Sequence, residues 1–159
     1  MFTLDRESSA DAVNATLELS CSFQGFPLPN VSWIYQGNRI ITENRSKYEI
    51  TEDYTTDNST VKSLLTILSV DHADNGTYIC YGDNEYASDT AFVTALVYDT
   101  PQLQIDQIVP VSSSKLFLNW TVNAWNLPID EYFLHYREDG ANAWEYHQVW
   151  TNVPNYNIG

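Results

Sequence analysis

Cations are scarce in this sequence: seven Lys and Arg stand against 21 Asp and Glu, a formal charge of −14. So few scattered positive charges build no phosphate-tracking stripe, which excludes nucleic acid, heparin-like polymers and anionic membrane surfaces as partners. Long apolar runs are also missing. No stretch approaches the roughly 20 residues that cross a bilayer. No positively charged segment followed by an apolar one opens the chain, so no direct membrane insertion is expected of this segment. A secreted protein of this sequence would have its leader outside it. Histidine is limited to His72, His135 and His147, none at zinc-ligand spacing. No Gly-x-Ser-x-Gly elbow, phosphate-binding glycine loop or His-Glu-x-x-His occurs. The chain reads as a non-enzyme with no cofactor.

What the sequence does hold is short alternating runs punctuated by Gly, Pro, Asn and Asp, with no sustained 3.6-residue period. This pattern is all-β. Residues 13–23 place Ala15, Leu17, Leu19 and Cys21 on one face and Asn14, Thr16, Glu18 and Ser20 on the other. Gly25 to Pro29 turns the chain into a strand carrying Trp33, and Gly37-Asn38 begins a hairpin. Further strands are expected at 47–52, 61–69, 76–82 and 90–98, with a Thr/Asn/Asp-rich loop around 53–60. The run Tyr98-Asp99-Thr100-Pro101 reads as a junction, because the pattern stops and proline blocks continued pairing. Beyond it the alternation resumes at 114–122, 132–137 and 144–150.

Only two cysteines are present, Cys21 and Cys80, and their even count fits one disulfide, which persists in an oxidising compartment. Trp33 follows the first by 12 residues, and Tyr78 precedes the second by two. That order and spacing matches a two-sheet sandwich clipped by one disulfide packed on a buried indole. The run Asp74-Asn75-Gly76-Thr77-Tyr78-Ile79-Cys80 resembles the E–F corner of immunoglobulin domains, where the tyrosine hydroxyl bonds back to the corner backbone. The resemblance implies an I-set-like domain over residues 1–98, with Cys21–Cys80 bridged and Trp33, Asp74, Gly76 and Tyr78 in its core signature. One departure stands out. The usual Asn-x-x-Gly after the second cysteine appears as Asn84-Glu85-Tyr86-Ala87, which leaves the F–G hairpin shape open.

After a linker at 99–101, residues 102–159 resemble the N-terminal part of a fibronectin type III domain. The resemblance rests on Trp120 and on Ile129, Tyr132, Leu134, Tyr136 and Arg137. The corner and last two strands of that fold would lie beyond Gly159. An immunoglobulin domain joined to a type III domain is the architecture of neural cell-adhesion molecules of the NCAM, contactin and wrapper/klingon kinds. In a sandwich the acidic residues Asp71 and Asp74 belong to one end and Asp83, Glu85 and Asp89 to the other. They cannot converge on one ion, and no EF-hand pattern occurs, so no metal site is expected.

Strand alternation then makes a usable expectation. With Trp33, Tyr78 and Cys80 inward, Ile34, Ile79 and Tyr81 point outward, joined by Phe92 and Leu96 on the last strand. Outer faces of antiparallel sandwiches are normally polar, and an apolar patch there marks an interaction site. Six Asn-x-Ser/Thr acceptors occur, at Asn14, Asn30, Asn44, Asn58, Asn75 and Asn119. Asn14 and Asn119 are expected at outward strand positions and the rest in loops or turns, none on the apolar face. These features imply an extracellular or cell-surface glycoprotein that binds another cell-surface protein, a second copy of itself included. A receptor capturing a soluble ligand and an intracellular module of the giant muscle-protein kind are the alternatives.

Overall fold

The computed structural model describes residues 2–40, 47–57, 59–113, 115–150 and 155–158. The chain divides into two compact units, residues 1–98 and 99–159. The first unit holds strands β1 (Phe2–Glu7), β2 (Ser9–Ala12), β3 (Leu17–Gln24), β4 (Asn30–Tyr35), β5 (Asn38–Arg39), β6 (Tyr48–Tyr54), β7 (Thr60–Ile67), β8 (Gly76–Asp83) and β9 (Ser88–Tyr98). One sheet runs β1-β3-β7-β6 and the other β2-β9-β8-β4-β5. The N-terminal segment changes sheets at Ser8: β1 pairs antiparallel with β3, and β2 pairs parallel with β9. Ser8 secures the crossing by accepting the Thr94 N–H at 2.9 Å.

Period-two patterning builds the core. Leu17, Leu19, Cys21 and Phe23 from β3 and Val61, Ser63, Leu65 and Ile67 from β7 are buried. They meet Trp33 from β4, Tyr78 and Cys80 from β8, and Ala91, Val93, Ala95 and Val97 from β9. Each large side chain buried this way is worth roughly 1.5–3 kcal/mol. The Cys21–Cys80 disulfide joins the two sheets. Trp33 lies opposite Cys80 in the β4–β8 ladder, and its indole N–H donates to Ser63 Oγ across the core at 3.0 Å. The indole therefore reaches the facing sheet with no buried donor left unpaired. Gly82 lies where the Phe23 ring packs: a Cβ there would come within 2.8 Å of it.

Three local expectations need adjustment. The first long strand begins at Leu17, because the preceding residues form a turn with Asn14 at φ 68° and Ala15 half-buried against the core. Strand β6 extends to Tyr54, which shortens the expected 53–60 loop. The F–G hairpin closes without glycine. Asn84 Oδ1 accepts the N–H groups of Tyr86 and Ala87 at 3.1 and 3.0 Å, and the Asn84 N–H donates to the Ala87 carbonyl. None of residues 84–87 has positive φ, so no glycine is required. The Asn84 amide also donates to the Pro27 carbonyl at 2.7 Å, tying this turn to the 25–29 turn.

The second unit holds β10 (Gln102–Ser112), β11 (Lys115–Asn123), β12 (Glu131–Tyr136), β13 (Glu145–Trp150) and β14 (Asn155–Ile158). One sheet runs β10-β11-β14, and β12 and β13 form a separate hairpin. Among its described residues Leu118 and Trp120 are buried, packed by Val122, Tyr132 and Leu134. Trp120 meets the Tyr132 ring edge to face at 5.6 Å. Pro110 is tolerated because β10 is an edge strand of its sheet. Leu103 and Ile105 on β10 and Phe133 on β12 remain about half exposed.

Two outcomes test this packing. Replacing both Cys21 and Cys80 by alanine should lower unfolding stability by about 4 kcal/mol in urea titration, the chain-entropy value for a loop of this size. Gly82→Ala should cost about 1–3 kcal/mol, because the Phe23 ring must leave its place to admit one methyl group.

Candidate functional site: the outer β4–β8–β9 face

The corner before β8 fixes which side chains of that strand face out. A single 3-10 turn, His72–Asp74, is closed by a reciprocal cap. Asp71 Oδ1 accepts the Ala73 N–H at 2.7 Å, and Asp74 Oδ2 accepts the Asp71 N–H at 2.7 Å. Lys47, just ahead of β6, donates to Asp71 Oδ2 at 2.9 Å and to the buried Asp74 carboxylate. Burial alone would lower the Lys47 pKa. The hydrogen bonds and charges of Asp74 and Asp71 outweigh that and raise it above 10.5. Asp71 falls below its ordinary 3.8, chiefly through the hydrogen bond from Lys47 and then that from the Ala73 N–H.

Two tyrosines then anchor the turn. Tyr78 donates to the Asp74 carbonyl at 3.1 Å, and burial first, with the charge of Asp74 among the lesser causes, holds its phenol neutral far above the ordinary range. Tyr35 donates to the Ala73 carbonyl at 2.6 Å, with the Asn75 carbonyl at 3.0 Å as second acceptor. Its ring stacks on Tyr78 with centroids 4.1 Å apart. Gly76 follows at φ +147°, a backbone region that side-chain-bearing residues rarely adopt, with the Tyr35 ring against it. His72, at the start of this turn, is half-buried.

With Tyr78 and Cys80 held inward, alternation turns Thr77, Ile79, Tyr81 and Asp83 outward. The ladders align Arg39, Ile34, Ile79 and Phe92 in one cross-strand row over β5, β4, β8 and β9. The next row is Ser32, Tyr81 and Thr90. Thr94 lies opposite Thr77, and Leu96 lies beside Ala10 of β2. Phe92 is 56% exposed and Leu96 40%, while Ile34, Ile79 and Tyr81 are half-buried among their neighbours. So the structure places all five residues on one face. Its described charged members are Arg39 and Asp83, one of each sign, in a chain carrying −14.

Elsewhere the acceptor asparagines are distributed differently from the sequence pattern. Asn14 occupies a turn rather than an outward strand position. Asn30 opens β4 instead of lying in a loop, opposite Asp83. Asn75 is exposed in the corner, where its Oδ1 accepts the Val97 N–H at 3.0 Å. Asn119 is half-buried on β11, between Gln107 and Asn155. Asn44 and Asn58 lie outside the described residues. Asp71 and Asp74 converge on Lys47, so their oxygens serve an ion pair. Sequence reading missed Lys47, Ser63 and Tyr35. Tyr35 alone was signalled, since it shares the parity of Trp33 on β4.

The corner predicts a defined pH response. Lys47, with its pKa raised, contributes stability present below pH 10.5 and lost as pH rises through its folded value. Asp71, with its pKa lowered, contributes stability present above pH 3.8 and lost as pH falls through its folded value. The stability gap between wild type and Lys47→Met should therefore be widest at neutral pH and narrow at both extremes, as read by denaturant titrations across pH.

Residues 2–84 match the protein family described as "Immunoglobulin domain". Tyrosine-protein phosphatase 69D of Drosophila melanogaster is 28% identical over 129 residues, covering 77% of this chain and 8% of that protein. Neural cell adhesion molecule 1 of Bos taurus is 33% identical over 97 residues, covering 57% of this chain and 10% of that protein. The chain thus spans at most about a tenth of the length of these relatives. A titin fragment superposes with a TM-score of 0.56 at 16% identity, over 86% of this chain and 69% of the fragment, a likeness of fold alone. The matched residues take in all of β1 to β8 and both bridged cysteines, and the chain belongs to the immunoglobulin-domain family.

Proposed function

We propose that this chain is the recognition segment of a cell-surface adhesion protein and that its outer β4–β8–β9 face binds a second copy of the chain. The observation carrying this reading is the composition of that face. Two molecules of charge −14 repel each other, and they approach at least cost where that charge vanishes. The outer face offers that place: an apolar row flanked by hydroxyl-bearing threonines and serines, with Arg39 and Asp83 at separate positions. An isologous contact repeats every interaction about a two-fold axis. Arg39 of one molecule can then meet Asp83 of the other on both sides, while Phe92, Tyr81 and Ile79 supply the desolvated centre that interface anchors require.

Compartment and architecture belong to the same reading. The Cys21–Cys80 bridge suits an oxidising space, and cell adhesion is named for the bovine relative. In the first unit, β2 paired to β9 and a β5 of two residues support the I-set subtype. In the second, five strands with β14 returning to pair with β11 support a fibronectin type III unit, N-terminal part, over 102–159 after a linker at 99–101. The alternative of an intracellular structural module predicts reduced cysteines and bare acceptor asparagines.

Sedimentation equilibrium of the disulfide-bonded protein, produced without glycan, tests the face. Wild type should dimerise, and Phe92→Asp and Tyr81→Asp should weaken dimerisation at least about tenfold, a loss of some 1.4 kcal/mol, with unfolding midpoints unchanged. A monomeric wild type, or variants that associate as well as wild type, would contradict the proposal.

A further inference from the structure

The opening of β4 brings one acceptor asparagine onto the recognition face itself. The triplet Asn30-Val31-Ser32 lies in extended strand, so its first and third residues point to one side and its middle residue to the other. Val31 packs toward the core, as do Trp33 and Tyr35. Asn30 and Ser32 therefore share the side of Ile34. The ladders agree: Asn30 lies opposite Asp83, and Ser32 opposite Tyr81. Asn30 is exposed. Among the described residues, β5 pairs with Ile34 and Tyr35 and not with Asn30. Nothing in the described ladders hinders a substituent on the Asn30 amide.

Distances along the sheet decide what such a substituent covers. Tyr81 is the diagonal cross-strand neighbour of Asn30, about 7–8 Å away. Phe92 is two strands across and four residues along, about 17 Å away at about 4.8 Å per strand and 3.4 Å per residue. Leu96 is four residues farther still. An oligosaccharide is bulky and strongly hydrated, so one attached at Asn30 covers Tyr81 and Ser32 most and the Phe92 and Leu96 end least.

We infer that Asn30 is a glycosylation site inside the recognition face, and that its sugar, where attached, closes the Tyr81 and Asp83 end and leaves Ile79, Phe92 and Leu96 for contact. The full contact proposed above then belongs to chains bare at Asn30. The inference rests on the extracellular reading above and adds to it a covalent limit on where the partner sits. Asn14 and Asn75 differ in kind: they occupy a turn and the corner, off the apolar rows.

The test uses the full chain secreted from a eukaryotic host. Glycopeptide mass spectrometry reads occupancy at each acceptor, and hydroxyl-radical footprinting reads the labelling rates of Tyr81 and Phe92. Glycan should be present at Asn30. Its removal by glycosidase from the folded protein, or its prevention in Asn30→Gln and Ser32→Ala, should raise Tyr81 labelling severalfold and leave Phe92 labelling unchanged. A bare Asn30 with Asn14 or Asn75 occupied overturns this inference and spares the extracellular reading, as does Tyr81 labelling indifferent to the sugar. Bare asparagines at every acceptor overturn the extracellular reading itself.

Discussion

The rest of the first unit depends on the phase of strand alternation, and the Cys21–Cys80 bridge beside Trp33 sets that phase. A slip of one residue in β4 or β8 would carry Trp33 or Cys80 to the water side and bring Ile34 or Ile79 inward. The bridge forbids the slip on β8, since its partner Cys21 lies in the facing sheet. The indole bond to Ser63 forbids it on β4, because no outward Trp33 could reach that hydroxyl. The identity of the outward residues is thus a consequence of two contacts made in the core.

The corner extends the same constraint to the end of β8. Tyr78 and Tyr35 stack and donate into the backbone of the His72–Asp74 turn, and Lys47 closes the turn from the other sheet's side of the sandwich. Asn75 adds a link to β9 through Val97. Each hydrogen bond of this kind contributes about 1 kcal/mol net, whereas a buried donor or acceptor left alone costs more. A rigid corner and a fixed phase together give the outer face a defined row of apolar residues rather than an average of two registers.

Much of this was legible in the residue order. The spacing of Cys21, Trp33, Tyr78 and Cys80 carried the sandwich, and alternation from those four carried the outward set Ile34, Ile79, Tyr81, Phe92 and Leu96. What failed to show were contacts between residues distant in sequence and ordinary in type. Lys47 meets Asp71 and Asp74 across more than twenty residues, and Ser63 meets Trp33 across thirty. Strand ends were the other gap. Asn30 read as a loop residue after Pro29, although β4 takes it up at once, and Asn14 read as a strand residue although it adopts a left-handed turn. In the F–G turn the side chain of Asn84 does what a glycine does elsewhere, a substitution that follows from its own hydrogen bonding and is invisible to a motif.

The outer β4–β8–β9 face is proposed as the contact surface between copies. Amide chemical shifts of isotopically labelled, disulfide-bonded protein, followed as concentration rises, test it residue by residue. Shifts should be confined to 32–34, 77–81 and 90–96, with β3, β6 and β7 unmoved. Shifts on that opposite sheet, or none at any concentration, would contradict it.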